Sequence, residues 1–149
     1  MTYGVVLATY MAIETLKAAD SVRFREPVAR ADSWLWQQKS RSTPEAAALV
    51  MALNSGPALA ALKRAQASDG GFGPYANSPS EPFDTAIALL ALKATGNNGE
   101  ALRRARVWLI AAQQPDGSWV ESTRPTGSQS YAQRISTSAW ATIALLESR

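Results

Sequence analysis

One short segment occurs twice in this chain of 149 residues, and its two copies lie 47 positions apart, from 66 to 113. Each copy consists of a glutamine, two further residues, Asp-Gly, one residue and an aromatic residue: Gln66, Asp69, Gly70 and Phe72, and then Gln113, Asp116, Gly117 and Trp119. A third, incomplete copy begins at Trp34 and lacks Asp-Gly. A period of this length is typical of stacked repeats, which bury their apolar faces only against neighbouring repeats.

The segments around these copies predict helices. Residues 100–112 place apolar side chains, including Trp108, on one helical stripe and leave their arginines largely off it. The segments 45–53, 84–92 and 137–145 align with one another and are apolar on nearly all sides. The chain is therefore predicted to be all-α, with residues 1–149 forming one domain of a lone helix (about 4–19) and three helix pairs (about 27–54, 57–95 and 99–148).

The Asp-Gly segments have a structural interpretation. Asp-Gly favours a tight turn after a helix, and a glutamine at the helix end can bond backbone groups that the helix leaves unpaired. The aromatic residue can fold back over the helix and bury a large area. We therefore assign ten motif residues to structure rather than to ligand binding: Trp34, Gln66, Asp69, Gly70, Phe72, Trp108, Gln113, Asp116, Gly117 and Trp119.

The segment from Arg104 to Trp119 resembles the QW repeat of squalene and oxidosqualene cyclases. The matching residues are Arg104, Ala105, Trp108, Leu109, Gln113, Gly117, Ser118 and Trp119. The stretch 69–73, which reads DGGFG, is also similar to the repeats of protein prenyltransferase β subunits. The resemblance implies the α-α toroid of terpenoid cyclases and prenyltransferases, with residues 100–113 in an outer helix and 135–146 in an inner one. Here it implies a partial ring of about seven helices.

The catalytic groups that the resemblance implies are missing from this chain. Hopene-type cyclases use a DxDD cluster, prenyltransferases hold zinc with Asp, Cys and His, and the related thioester domains need a cysteine. The sequence has no DxDD cluster, no cysteine and no histidine. A Ser-His-Asp triad and a Cys/His zinc site are excluded within the chain for the same reason. We therefore expect neither a cofactor nor a metal, and the residues favour a non-catalytic protein.

Two carboxylates are candidate ligand-binding residues. Glu45 and Asp84 align with each other at the starts of two predicted inner helices, where both could approach one cavity. Paired carboxylates suit glycosidic acid/base chemistry, which (α/α) barrels also carry out. The alternative is structural, because an acid in the first turn of a helix complements the helix dipole.

Three aromatic residues are further candidates for an inner cavity. Tyr10 and Trp140 lie in predicted inner helices, and Tyr131 lies in the predicted loop between residues 115 and 135. Aromatic faces attract cations, which suits a hydrophobic or cationic ligand. Packing within the core or the loop is the alternative for all three.

The sequence leaves three functions open. The leading hypothesis is a non-catalytic repeat module that binds a hydrophobic, isoprenoid-like molecule or a protein partner. A second is a fragment or half-ring of a terpene or squalene-type cyclase whose acidic motif lies outside this chain. A third is a carbohydrate-active helical barrel that uses Glu45 and Asp84. Three and a half helix pairs do not close a ring, so we expect a homodimer or the remainder of a larger toroid as partner.

Charge and hydropathy exclude some partners. The formal net charge is only +3, and the basic clusters lack interleaved aromatic residues, so we expect no binding to nucleic acid. The apolar run near the N-terminus is interrupted by Glu14 and is too short to span a bilayer. It also lacks the pattern of a secretory signal. We expect the cytoplasm as the compartment if the chain is complete.

Overall fold

The computed structural model describes residues 4–96, 99–122, 127 and 130–149. Within this part of the chain, the protein forms seven α-helices and no β-strand, which confirms the all-α prediction. The helices are α1 (Val5–Asp20), α2 (Arg25–Leu35), α3 (Thr43–Leu53), α4 (Gly56–Ala65), α5 (Pro82–Ala94), α6 (Glu100–Ala111) and α7 (Tyr131–Glu147).

The helices form two sets that differ in their neighbours. The row helices α1, α3, α5 and α7 contact one another in that order. The cover helices α2, α4 and α6 each pack on the row helix that precedes them in the chain. Because α3 and α5 are covered by neighbours on several sides, they are apolar almost throughout, whereas each cover helix buries a single stripe.

The core is centred on α5, where Phe83, Ile87 and Leu89 have no solvent exposure. Burying one such side chain contributes about 1.5–3 kcal/mol to folding. The cover helix α6 adds Leu102, Ala105 and Leu109 to the same core, a set spaced three and four residues apart. The apolar stripe predicted on residues 100–112 therefore packs on the core.

Helix α7 begins earlier than the sequence analysis predicted. Tyr131 was expected in a loop, but it is the first residue of α7, and its side chain is 80% exposed. The Ser130 hydroxyl accepts a hydrogen bond from the Gln133 amide at 3.3 Å, which caps the helix. The spacing Ser-x-x-Gln is the pattern of a capping box and was the overlooked signal.

The incomplete third copy forms a shorter connection than the other two. Helix α2 ends at Leu35, and α3 already starts at Thr43. The Gln38 side-chain amide donates to the Trp34 carbonyl at 3.1 Å, so this glutamine bonds the end of its own helix.

Candidate functional site

Turn A, defined as residues 66–72, links α4 to α5 and is closed by local hydrogen bonds. The Gly70 amide donates to the Ala67 carbonyl at 3.0 Å. The Gln66 side-chain amide donates to the Gly70 carbonyl at 2.9 Å. Gly70 has a φ of +95°, a left-handed conformation that costs other residues about 1–2 kcal/mol. The backbone of turn A thus favours glycine at position 70.

The carboxylate of Asp69 connects turn A to α6. Its Oδ1 accepts hydrogen bonds from the Gly71 amide and the Ser80 hydroxyl, both at 2.9 Å. Its Oδ2 accepts from the indole Nε1 of Trp108, also at 2.9 Å. A Cβ at Gly71 would lie 2.8 Å from the Trp108 ring, so this residue must be glycine for the indole to pack on the turn.

Two further side chains join turn A to α6. The Gln66 amide also donates to the Ala101 carbonyl in the first turn of α6, at 2.8 Å. From α6, the Arg104 guanidinium donates to the Ser68 carbonyl at 2.5 Å and to the Ala67 carbonyl at 3.2 Å. We call this whole set of contacts between turn A and α6 the A joint.

The aromatic residue of turn A is anchored on α5. Phe72 has no solvent exposure. Its amide donates to the Thr85 hydroxyl at 2.9 Å, and the same hydroxyl donates to the Phe72 carbonyl at 3.2 Å. The Glu81 amide also donates to this carbonyl, at 2.9 Å. One hydroxyl of α5 therefore fixes the register of turn A against the row.

Turn B, defined as residues 113–119, repeats the local geometry. The Gly117 amide donates to the Gln114 carbonyl at 2.8 Å, and Gly117 has a φ of +83°. The Gln113 side-chain amide donates to the Gly117 carbonyl at 2.9 Å. The backbone and the glutamine thus behave alike in the two turns.

Trp119 anchors turn B as Phe72 anchors turn A. Only 3% of Trp119 is exposed, and its amide donates to the Ser138 hydroxyl of α7 at 3.0 Å. Its indole Nε1 donates to the Leu109 carbonyl of α6 at 2.8 Å. The aromatic residue therefore folds back over the preceding cover helix.

The carboxylate of Asp116 accepts hydrogen bonds from a residue of the same turn and from α7. Its Oδ1 accepts from the Ser118 amide at 3.0 Å and from the Ser118 hydroxyl at 2.6 Å. Its Oδ2 accepts from the Arg134 guanidinium at 3.3 Å, and both side chains of this ion pair are well exposed. Since α6 is the last cover helix of the described chain, none of these bonds comes from a following cover helix.

Hydrogen bonding lowers the pKa of both turn carboxylates. Desolvation raises the pKa of Asp69, but the hydrogen bonds from Gly71, Ser80 and Trp108 outweigh it, so the pKa lies below its ordinary value. The pKa of Asp116 is lowered mainly by Ser118, with a smaller contribution from the charge of Arg134. Both groups are therefore ionised acceptors near neutral pH, not proton donors.

The two carboxylates proposed for glycosidic chemistry differ in their surroundings. Glu45 is half-buried, and its Oε2 accepts a hydrogen bond from the Arg41 amide at 2.7 Å at the start of α3. It also lines a cleft with Trp34 that does not include Asp84. Asp84 has no solvent exposure within α5. The structure therefore gives no support to a pair acting on one sugar.

The three candidate aromatic residues differ in their surroundings. Tyr10 and Trp140 pack against the core, and Trp140 meets Phe83 edge to face with ring centroids 6.4 Å apart. Burial, followed by the nearby charge of Glu14, raises the pKa of Tyr10. Tyr131 stands in solvent at the start of α7.

The sequence analysis named Arg104 only as a motif residue, without its bonds to turn A. It did not single out Ser80, which bonds Asp69, or Thr85 and Ser138, which hold the two aromatic residues of the turns. A signal existed for the last pair, because Thr85 and Ser138 occupy equal positions in the aligned segments 84–92 and 137–145. No such signal existed for Ser80, whose partner lies eleven residues away.

Two open clefts lie at opposite ends of the row. The N-terminal cleft, of about 420 Å³, lies between α1 and the connection from α2 to α3, and its lining includes Val5, Val6, Trp34 and Glu45. The C-terminal groove, of about 310 Å³, runs between α6 and α7 and is lined by Ile110, Gln113, Trp119, Thr142, Leu145 and Leu146 among others.

The described residues contain no group of three or more acidic side chains arranged to hold a metal ion. No helix in the same part of the chain has the length and apolar character needed to cross a bilayer.

The sequence was compared with those of known proteins, and part of it is similar to one kind of enzyme. No protein-family model matches it. A stretch of 58 residues, 39% of this chain, is 41% identical to part of the drimenyl diphosphate synthase of Streptantibioticus cattleyicolor. This match indicates a relationship to terpene cyclases. It spans 11% of the synthase, so the chain corresponds to a small part of that relative.

Proposed function

We propose that this chain is a helical-repeat module of the toroid type related to terpene cyclases. It contributes scaffold and an apolar wall, and it does not itself supply a catalytic acid. The partial match to a drimenyl diphosphate synthase supports the relationship. The alternation of row and cover helices supports the repeat architecture.

The observation that carries the proposal is the engagement of the acidic side chains. Asp69 and Asp116 are hydrogen-bonded acceptors inside the two turns. Glu45 bonds the backbone at the start of α3, and Asp84 lies wholly inside the core. Asp69, Asp116 and Glu45 therefore act as hydrogen-bond acceptors within the fold, and Asp84 lies away from solvent.

A second candidate is a piece of a terpene cyclase whose acidic motif lies in another part of the protein. The small share of the synthase that the match spans favours this candidate. In both cases this chain would contribute an apolar surface for an isoprenoid-like molecule. The two differ in whether a full protein that contains the module has cyclase activity.

The test uses farnesyl diphosphate, a fifteen-carbon isoprenoid diphosphate, with the purified chain. Native mass spectrometry is expected to show an adduct of one ligand per chain, and gas chromatography of the extract is expected to show no cyclised product. A cyclised product would contradict the assignment as a non-catalytic module. A bare chain at saturating ligand would contradict the isoprenoid-binding part.

A further inference from the structure

An open cleft lies beside turn A, and the proposed function does not use it. This cleft, which we call the polar cleft, has a volume of about 550 Å³ and is lined by residues 64–69 and 77–80. Small-molecule sites commonly have volumes of about 300–1,000 Å³. Both walls come from the middle of the chain, because the end of α4 and turn A form one wall and the segment before α5 forms the other.

A hydrogen bond and close packing fix the two walls of the polar cleft. The Ser80 hydroxyl donates to Asp69 Oδ1 at 2.9 Å, which joins one wall to the other. A Cβ at Gly73 would overlap the carbonyl oxygen of Pro79, so the second wall packs tightly on the glycine that follows turn A. A ligand therefore enters a cleft that is already formed, which lowers the ordering cost of binding.

Four polar side chains of the lining make no hydrogen bond or ion pair within the described part of the chain: Arg64, Ser68, Asn77 and Ser78. Three of them are exposed, and Ser78 is half-buried. A guanidinium offers only donors, whereas an amide and a hydroxyl both donate and accept. The polar cleft thus presents hydrogen-bond donors and acceptors side by side.

The charges in the lining oppose each other. Arg64 is cationic, and Asp69 is an ionised acceptor near neutral pH. An anion attracted by Arg64 is repelled by Asp69, and a cation meets the reverse arrangement. An apolar molecule would cover polar groups without replacing their hydrogen bonds to water, which is costly. A neutral ligand with many hydroxyls avoids these penalties.

We infer that the polar cleft binds a neutral sugar of one or two hexose units through the side chains of Arg64, Ser68, Asn77 and Ser78. Sugar hydroxyls donate and accept hydrogen bonds, so they match the amide and the two serine hydroxyls in both senses. The Arg64 guanidinium donates to the sugar oxygens. The bond from Ser80 to Asp69 stays in place and holds the walls apart at a fixed width. This ligand differs in chemistry from the isoprenoid-like molecule of the proposed function.

The test uses maltose, a neutral disaccharide, as the probe. Titration into the ¹⁵N-labelled full chain is expected to shift the amide signals of Ser68, Asn77 and Ser78 until they saturate. Arg64→Gln should weaken binding roughly fivefold, the size expected for one hydrogen bond. Lys63→Gln removes the neighbouring charge of α4, which is exposed and outside the lining, and should leave binding unchanged.

A second variant removes the amide of Asn77 without disturbing the backbone. Asn77 has a φ of +67°, which glycine adopts without a steric penalty. Asn77→Gly should therefore keep the shape of the cleft and weaken maltose binding roughly fivefold. The matched control is Asn54→Gly, because Asn54 also has a positive φ but lies at the end of α3, outside the lining. This control should bind maltose as the parent chain does.

Glucose and glucuronate test the charge balance, since they share a ring and differ by one carboxylate. The two should bind with similar affinity, because Asp69 offsets Arg64. Three results would overturn the inference. One is the absence of saturable shifts at the polar cleft, and another is maltose binding that neither Arg64→Gln nor Asn77→Gly weakens. The third is a strong preference for glucuronate, because the cleft would then select an anion. None of these results involves farnesyl diphosphate, so the proposed function is tested separately.

Discussion

Turns A and B share a sequence pattern and a backbone geometry, yet they are held in different ways. In both turns, a glutamine side chain donates a hydrogen bond to the carbonyl of a glycine with positive φ. The backbone amide of a buried aromatic residue donates to a hydroxyl of the next row helix. Turn A is also fixed from α6, by residues 35–39 positions away. Turn B receives its carboxylate contacts from Ser118 and from exposed Arg134.

This difference shows that the motif has two separate roles, forming the turn and contacting a cover helix. The Asp-Gly turn folds from local bonds, so it forms wherever its residues occur. The joint depends on a cover helix that presents the matching arginine and tryptophan. Stacked helices gain much of their stability from such interfaces between neighbours. Turn A should therefore be the more rigid of the two.

The largest expected effect tests what the two turns have in common. Phe72→Ala and Trp119→Ala each remove a buried aromatic side chain, which typically costs about 3–5 kcal/mol. We expect a loss of this size for both variants in urea-denaturation measurements. A Trp119→Ala protein as stable as the parent would show that turn B is not packed on α6 and α7 as described.

The second-largest effect is the difference in stability cost between alanine substitutions at the glycines of the two turns. Alanine at Gly117 meets only the Gln113 side chain, at 4.0 Å, so Gly117→Ala carries the strain of positive φ alone, about 1–2 kcal/mol. Alanine at Gly70 also meets Arg104, with contacts of 3.0 and 3.1 Å. Gly70→Ala should therefore cost about 2–4 kcal/mol. Equal losses in calorimetry would contradict the close approach of α6 to turn A.

Alanine substitution of the aspartates should also cost more stability in turn A than in turn B, by a smaller amount than for the glycines. Asp69→Ala removes bonds from Ser80 and Trp108 in the A joint and should cost about 1–2 kcal/mol, since the site is partly open to water. Asp116→Ala should lower the melting temperature much less, because its bonds come from Ser118 in the same turn and from Arg134, and none comes from a cover helix of the described chain. A larger loss for Asp116→Ala would reverse the comparison.

The smallest expected effect is the dependence of stability on pH. The pKa of Asp69 is lowered from its ordinary value of 3.8 in the folded chain. Its contribution to stability is therefore complete above about pH 4 and is lost as the pH falls through the lower folded value. Asp69→Asn should flatten the acid limb of the melting temperature relative to the parent chain. An unchanged acid limb would show that the hydrogen bonds to Asp69 do not favour its charged form.

The sequence predicted the parts of the structure that depend on local order. Helical content and the buried stripe of α6 followed from the spacing of Leu102, Ala105 and Leu109. The start of α7 was misplaced because the Ser130 cap was overlooked, although its pattern is local. The hydrogen bonds from Arg104 to the carbonyls of turn A could not be predicted, because no local sequence pattern indicates which distant carbonyl a guanidinium contacts.

The candidate ligand residues illustrate the same limit. Asp84 and Glu45 align well in sequence, yet one is wholly buried and the other bonds the backbone at the start of a helix. The alignment captures equal positions on row helices. It does not capture burial, which differs between Glu45 and Asp84 although α3 and α5 both have neighbours on several sides.

Hydrogen exchange at two glycines tests the central claim most directly. The amides of Gly70 and Gly117 both follow an aspartate, and both donate to a carbonyl three residues back, at 3.0 and 2.8 Å. They differ because turn A also forms hydrogen bonds with the cover helix α6. After correction for intrinsic rates, the account predicts that Gly70 exchanges at least tenfold more slowly, a difference of about 1.4 kcal/mol in opening free energy. Equal protection, or slower exchange at Gly117, would contradict it.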